Sequence, residues 1–112
     1  MRVLVTVSPL MYREAIALSL HRNRPDFEVG LAPPEEAEEQ VRAFEPHLLV
    51  HNDTDGLDPG VLDSVPFWVE MCYSDSMDAK INVDGRVEDA RDISTERLLR
   101  VADEAAALAD GA

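Results

Sequence analysis

Arg2-Val3-Leu4-Val5-Thr6-Val7-Ser8-Pro9-Leu10 is the stretch that decides the fold. A short apolar, β-branched run ends in a small polar residue and a proline, and an amphipathic helical pattern follows. That is how the buried first strand of an α/β sheet hands over to its first helix, at the sheet end where such folds hold their ligands. The spacing predicts a strand from Arg2 to Val7. Ser8 is predicted to cap the helix, with Pro9 at its first position, where a missing N–H costs nothing. Leu10, Ala15, Ile16 and Leu20 then offer an apolar face, and the helix is expected to end near His21-Arg22-Asn23, before Pro25. The strand end carries Thr6, Val7 and Ser8, with no acid, glycine or cysteine. The scaffold is one that commonly does chemistry; the usual chemical groups are missing from it.

Outward from this segment, Phe27-Glu28-Val29-Gly30-Leu31 reads as a second strand. Pro33-Pro34 opens a second helix whose first turns hold Glu35, Glu36, Glu38 and Glu39, where the positive end of the helix dipole stabilises carboxylates. Ala37, Val41 and Phe44 form its buried stripe, Glu45-Pro46 stops it, and His47 to His51 make a third strand. This is βαβαβ, for which right-handed parallel crossovers are expected. The second half is less regular. Residues 53–60 are a loop by their turn chemistry, with at most a short helix from Gly60 to Val65. Phe67 to Tyr73 is a strand, and the connection 74–78 is too short for a crossover helix. Ala79 to Val83 is another strand, and Asp84-Gly85 signals a hairpin turn into Arg86-Val87. A last helix begins near Ser94 or Thr95, with Leu98, Val101, Ala102, Ala105 and Leu108 on its apolar side. The expectation is a single α/β domain over residues 1–112. Its first half is flavodoxin-like with parallel strands, followed by an antiparallel extension and a C-terminal helix.

The chain has 112 residues, 23 acids against 10 bases, and a formal net charge of −13. Such a chain repels phosphate backbones and gains nothing from counterion release, so no nucleic-acid partner is expected. The longest apolar run is a few residues, which gives no reason to expect a membrane span. The start lacks the long apolar core and cleavage site of a signal peptide, making the cytoplasm the expected location. Cys72 stands alone, outside any CxxC or Cys/His spacing, and reads as a structural thiol.

With the order of elements in place, the first half resembles the receiver domain of bacterial response regulators. Arg2-Val3-Leu4-Val5, Ser8-Pro9-Leu10, Arg13-Glu14-Ala15, Pro25-Asp26-Phe27-Glu28-Val29, Glu35-Glu36-Ala37 and Pro46-His47-Leu48-Leu49-Val50 resemble receiver segments in receiver order, over roughly residues 2–53. The resemblance implies a family mechanism in which an aspartate ending strand three accepts a phosphoryl group. Two acids after strand one hold magnesium, a Ser or Thr ends strand four, and a Lys ends strand five. Carried onto this chain, the acid pair falls on Thr6 and Val7, neither a good ligand for a hard cation. The phosphoacceptor falls on Asn52, an amide that cannot replace a carboxylate nucleophile. Asp53 is next door, but a slip of one residue along a strand would aim it at the opposite side. Ser74 falls where the Ser/Thr belongs, whereas Lys80 comes at the start of the presumed fifth strand, not its end.

Other constellations are weaker. His51, Asp53 and Asp55 form an H-x-D-x-D pattern that divalent metals can use, but a polar loop capping a strand end explains the aspartates as well. Ser8, Ser64 and Ser74 lack a G-x-S-x-G elbow and an identifiable base, and the scattered glycines form no phosphate loop. Trp68 and Tyr73 read as core residues. The expectation is therefore a stand-alone, non-phosphorylated, receiver-like signalling module that is not an enzyme, with no cofactor and no metal. It would act through a protein partner, a homodimer through an open sheet edge being one form. Its candidate strand-end site is Ser8, Asn52, Asp53, Asp55 and Ser74. The alternatives are an atypical phosphoacceptor switch using Asp53, or a small ligand-binding or hydrolytic enzyme in the same crevice.

Overall fold

The computed structural model describes residues 1–53, 56–72, 78–83, 85–91 and 93–110. Six strands form one mixed sheet in the order β2-β1-β3-β4-β5-β6. These are β1 (Arg2–Val5), β2 (Glu28–Leu31), β3 (Leu48–Asn52), β4 (Phe67–Met71), β5 (Ala79–Val83) and β6 (Arg86–Ala90). The first four are mutually parallel, while β5 runs antiparallel to β4 and β6 antiparallel to β5. The fold is thus the expected α/β architecture, parallel first and antiparallel after β4. Val3-Leu4-Val5 and Leu48-Leu49-Val50 are buried along their whole length. Central parallel strands are covered on both faces, so their sequences are continuous apolar runs rather than alternating ones.

Side chains alternate across the sheet and feed two cores. On one face Val3, Val5, Leu48, Val50, Val69 and Ile81 meet α1 (Leu10–Asn23) and α4 (Thr95–Asp110) through Ala17, Leu20, Leu98, Val101, Ala102 and Ala105. On the other, Leu4, Leu49 and the half-buried Trp68 meet α2 (Ala37–Phe44) and α3 (Pro59–Asp63) through Val41 and Val61. A single 3-10 turn, Pro34–Glu36, precedes α2. Asp58 starts α3 by accepting from the Gly60 N–H at 2.7 Å, with Pro59 just inside the helix. The hairpin turn predicted at Asp84-Gly85 joins β5 to β6, and Gly85 takes a left-handed φ of 91°, which glycine adopts without steric cost. Asp84 lies outside the described residues. Ser94 caps α4, its hydroxyl accepting from the Arg97 N–H at 3.1 Å. Among the described residues, no helix is long and apolar enough to cross a membrane.

The start of α1 differs from the sequence expectation. β1 ends at Val5, although the Thr6 N–H still donates to the Val50 carbonyl at 2.8 Å. Ser8 makes no cap, and Pro9 occupies the cap position with its carbonyl accepting from Tyr12 and Arg13. The Ser8 N–H donates across the sheet to the Asn52 side chain, and the helix begins at Leu10. Ala17 and Leu20 turn to the core, while Leu10 is left 55% exposed. Leu108 is likewise 45% exposed rather than part of the α4 stripe.

Arg24, the residue that ends α1, forms a bidentate pair with Asp103 on α4. Those hydrogen bonds hold the Asp103 carboxyl below its ordinary range, against a smaller opposing effect of burial. A carboxyl whose folded pKa is depressed stabilises the fold fully above its unfolded pKa, and the gain disappears as pH falls through the folded value. Asp103→Asn is therefore expected to lower the melting temperature at neutral pH, by a margin that closes on acidification. Thermal melts of both proteins across that range check it. Both side chains are a third or more exposed, at 34% and 45%, so the margin is small.

Candidate strand-end site

The carboxyl ends of β1, β3 and β4 meet at Asn52, the last residue of β3, which is 4% exposed. Its Oδ1 accepts from the Ser8 N–H beyond β1, and its Nδ2 donates to the Met71 carbonyl at the end of β4 at 3.4 Å. One amide thereby ties three neighbouring strands. This uses an acceptor and a donor at once, which an amide has and an ionised carboxylate does not. Thr6 and Val7, at the positions where the receiver resemblance sets the acid pair, are 0% and 1% exposed. The Thr6 hydroxyl turns to the Val50 carbonyl at 3.5 Å, and the Val7 carbonyl accepts from Arg13 Nε at 3.1 Å.

Asp53 follows in a turn with its side chain exposed, and its N–H donates to the Met71 carbonyl at 3.0 Å. The same carbonyl thus receives both Asn52 and Asp53. Cys72 comes next after β4, its N–H donating to the Asp78 carbonyl at 2.9 Å. Burial first, then the negative charges of Asp53, Asp78 and Glu70, push the Cys72 thiol up, with Lys80 acting in the opposite sense. Carboxylates gathered around a thiol keep it protonated, the reverse of what activates a cysteine nucleophile. The structural reading of Cys72 fits this surrounding.

Of the residues expected at the site, Ser8, Asn52 and Asp53 come together here, Ser8 through its backbone N–H. Asp55 and Ser74 lie outside the described residues. Lys80 is closer to the site than its position along the chain suggests. Counted along the chain it sits at the start of a strand, but β5 runs antiparallel, so its start lies at the same end of the sheet as the end of β4. Lys80 is in register with Glu70 and close enough for its charge to act on Cys72. In the sequence, the signal for that reversal is the connection 74–78, too short for a crossover helix. Alternation places Lys80 on the α2/α3 face and Asn52 on the α1/α4 face.

His51 is 1% exposed and lies edge-on to Trp68, with ring centres 6.0 Å apart. Its Nδ1 is 3.1 Å from the Asn52 carbonyl. Among the described residues, no three His, Cys, Asp or Glu side chains converge in a way that could hold a metal ion.

Beside the strand ends, α1 displays Leu10, Met11, Tyr12 and Leu18 at 55%, 80%, 47% and 52% exposure. An apolar cleft of about 180 Å³ separates α1 from the start of α4, floored by Met71, Ile93 and Leu98. Helical periodicity alone hides this surface, because it places Leu10 in the core; Met11 and Leu18, which fall off the predicted apolar face, are its signal in the sequence. No family model, no curated protein and no solved structure matches the chain.

Proposed function

We infer that the protein is a receiver-like interaction module, working in signalling through protein contacts and without phosphorylation. One observation carries the reading: where the receiver resemblance sets the phosphoacceptor stands an amide whose acceptor and donor are both committed to holding β1, β3 and β4 together. Phosphoryl transfer onto an aspartate needs a carboxylate nucleophile and a cation beside it to offset charge. Enclosure of Thr6 and Val7 argues against a cation held on the β1 side. Leu10, Met11 and Tyr12, exposed at the start of α1, with Tyr12 lining the apolar cleft against α4, support recognition of a protein partner.

Magnesium separates this reading from a switch that uses Asp53. Titrating magnesium chloride into isotopically labelled protein is expected to leave the amide resonances of Ser8, Asn52 and Asp53 without a saturable shift. A saturable shift centred on those residues, abolished by Asp53→Ala, would favour the phosphoacceptor switch instead.

A further inference from the structure

The sheet ends at β6, whose second side has no strand on it among the described residues. Five residues, Arg86–Ala90, pair with β5 from Val83↔Arg86 to Ala79↔Ala90. Two residues separate Val83 from Arg86, and a pair closed by so short a loop is a hydrogen-bonded one. Bonding then alternates, so Arg86, Glu88 and Ala90 turn their backbone groups toward β5, whereas Val87 and Asp89 turn theirs to the open edge. Val87 is also 53% exposed on the face that α2 and α3 leave uncovered at this edge.

Charges on an edge strand usually guard it against pairing. Their order here does the opposite for one partner. Along β6 the α4-side positions read Arg86 then Glu88. The helix above repeats the pair with signs exchanged: Glu104 accepts from Arg86 at 3.4 Å and Arg97 donates to Glu88 at 2.7 Å. A two-fold axis normal to the sheet and passing by Val87 reverses both rows. It sets Arg86 of one copy opposite Glu88 of the other, in the close non-hydrogen-bonded positions where side chains lie nearest. In the helix layer it sets Arg97 toward Glu104. Centring the axis on Arg86, Glu88 or Asp89 instead puts like charges face to face. With two arginines against two glutamates, the α4 side of the edge is locally neutral in a chain of net charge −13, and Asp89 falls opposite Gly85 rather than another acid, so two copies can approach there with less repulsion than the rest of the surface imposes.

We propose that the partner of β6 is a second copy of this chain, paired antiparallel about Val87 into a continuous twelve-stranded sheet. This deepens the interaction-module reading and rests on it for its functional meaning. Two five-residue edges make a small interface, far from the ~2,000 Å² or more of an obligate one, so the dimer is reversible and concentration-dependent.

Sedimentation velocity over a wide concentration range tests it. The wild-type mass is expected to rise from one chain toward two. Val87→Pro is expected to stay monomeric while melting as the wild type does, because proline at an outward-facing edge position removes only the interchain donor. Arg86→Glu and Glu88→Arg are each expected to be monomeric alone, and to form a dimer when mixed, since every pair across the axis is then opposite in charge. A wild type that is monomeric throughout overturns the proposal, as does a dimer that survives Val87→Pro or a mixture that stays monomeric. Phosphorylation of a dimeric chain would overturn the module reading and leave the pairing; a monomer that accepts no phosphoryl group would do the reverse.

Discussion

Thr6→Asp is expected to lose about 3–5 kcal/mol of stability at neutral pH, enough to leave much of the chain unfolded. This substitution rebuilds one acid of the magnesium pair that receivers carry after their first strand. In this chain the side chain at that position is fully enclosed, with the Val50 carbonyl as its polar neighbour. A carboxylate there would be desolvated and would face an oxygen that can only accept, so nothing offsets the cost of burying its charge. Thr6→Val keeps the shape and removes only a long hydrogen bond, and its loss is expected to be small. Urea titration of the three proteins, read by circular dichroism, measures both differences. Equal stability of wild type and Thr6→Asp would mean that the β1 end is open enough to hold a cation, and the enclosure of Thr6 would no longer count against magnesium binding.

Asn52→Asp is the second large effect, with an expected loss on the order of 3 kcal/mol at neutral pH. The new carboxylate keeps the bond from the Ser8 N–H but sets an oxygen against the Met71 carbonyl in place of Nδ2. Burial and the exposed carboxylate of neighbouring Asp53 also disfavour its charge. These effects raise the folded pKa of the introduced acid above its unfolded value. The penalty is therefore present above that range and shrinks as pH falls and the carboxyl protonates, when it can donate to Met71 again. Stability of Asn52→Asp relative to wild type is expected to recover on acidification, which distinguishes this cause from a steric one. A deficit that is independent of pH would point to packing instead.

Much of the fold is legible in the sequence because strand grammar is local. The apolar runs at Val3-Leu4-Val5 and Leu48-Leu49-Val50 need cover on both faces, and the Asp84-Gly85 turn forces the chain to reverse. What escapes such a reading is anything decided by two distant segments meeting. Ser8 is a residue type that caps helices, but here its N–H joins a side chain 44 positions away and the helix starts two residues later. Position 52 is readable as an amide where the receiver resemblance sets a carboxylate. That the amide spans three strands depends on Met71 lying in register with it across the sheet. Lys80 looks remote from its place along the chain, although the antiparallel direction of β5 brings it to the same end as Cys72 and Glu70. Asp55 and Ser74 belong to the site as read from sequence alone.

The most direct test of the proposed non-phosphorylated module is intact-mass analysis after incubation with acetyl phosphate, with and without magnesium. No gain of mass in either condition is the expected result. A magnesium-dependent gain of one phosphoryl group, abolished by Asp53→Ala, would contradict a non-phosphorylated module and identify a working switch.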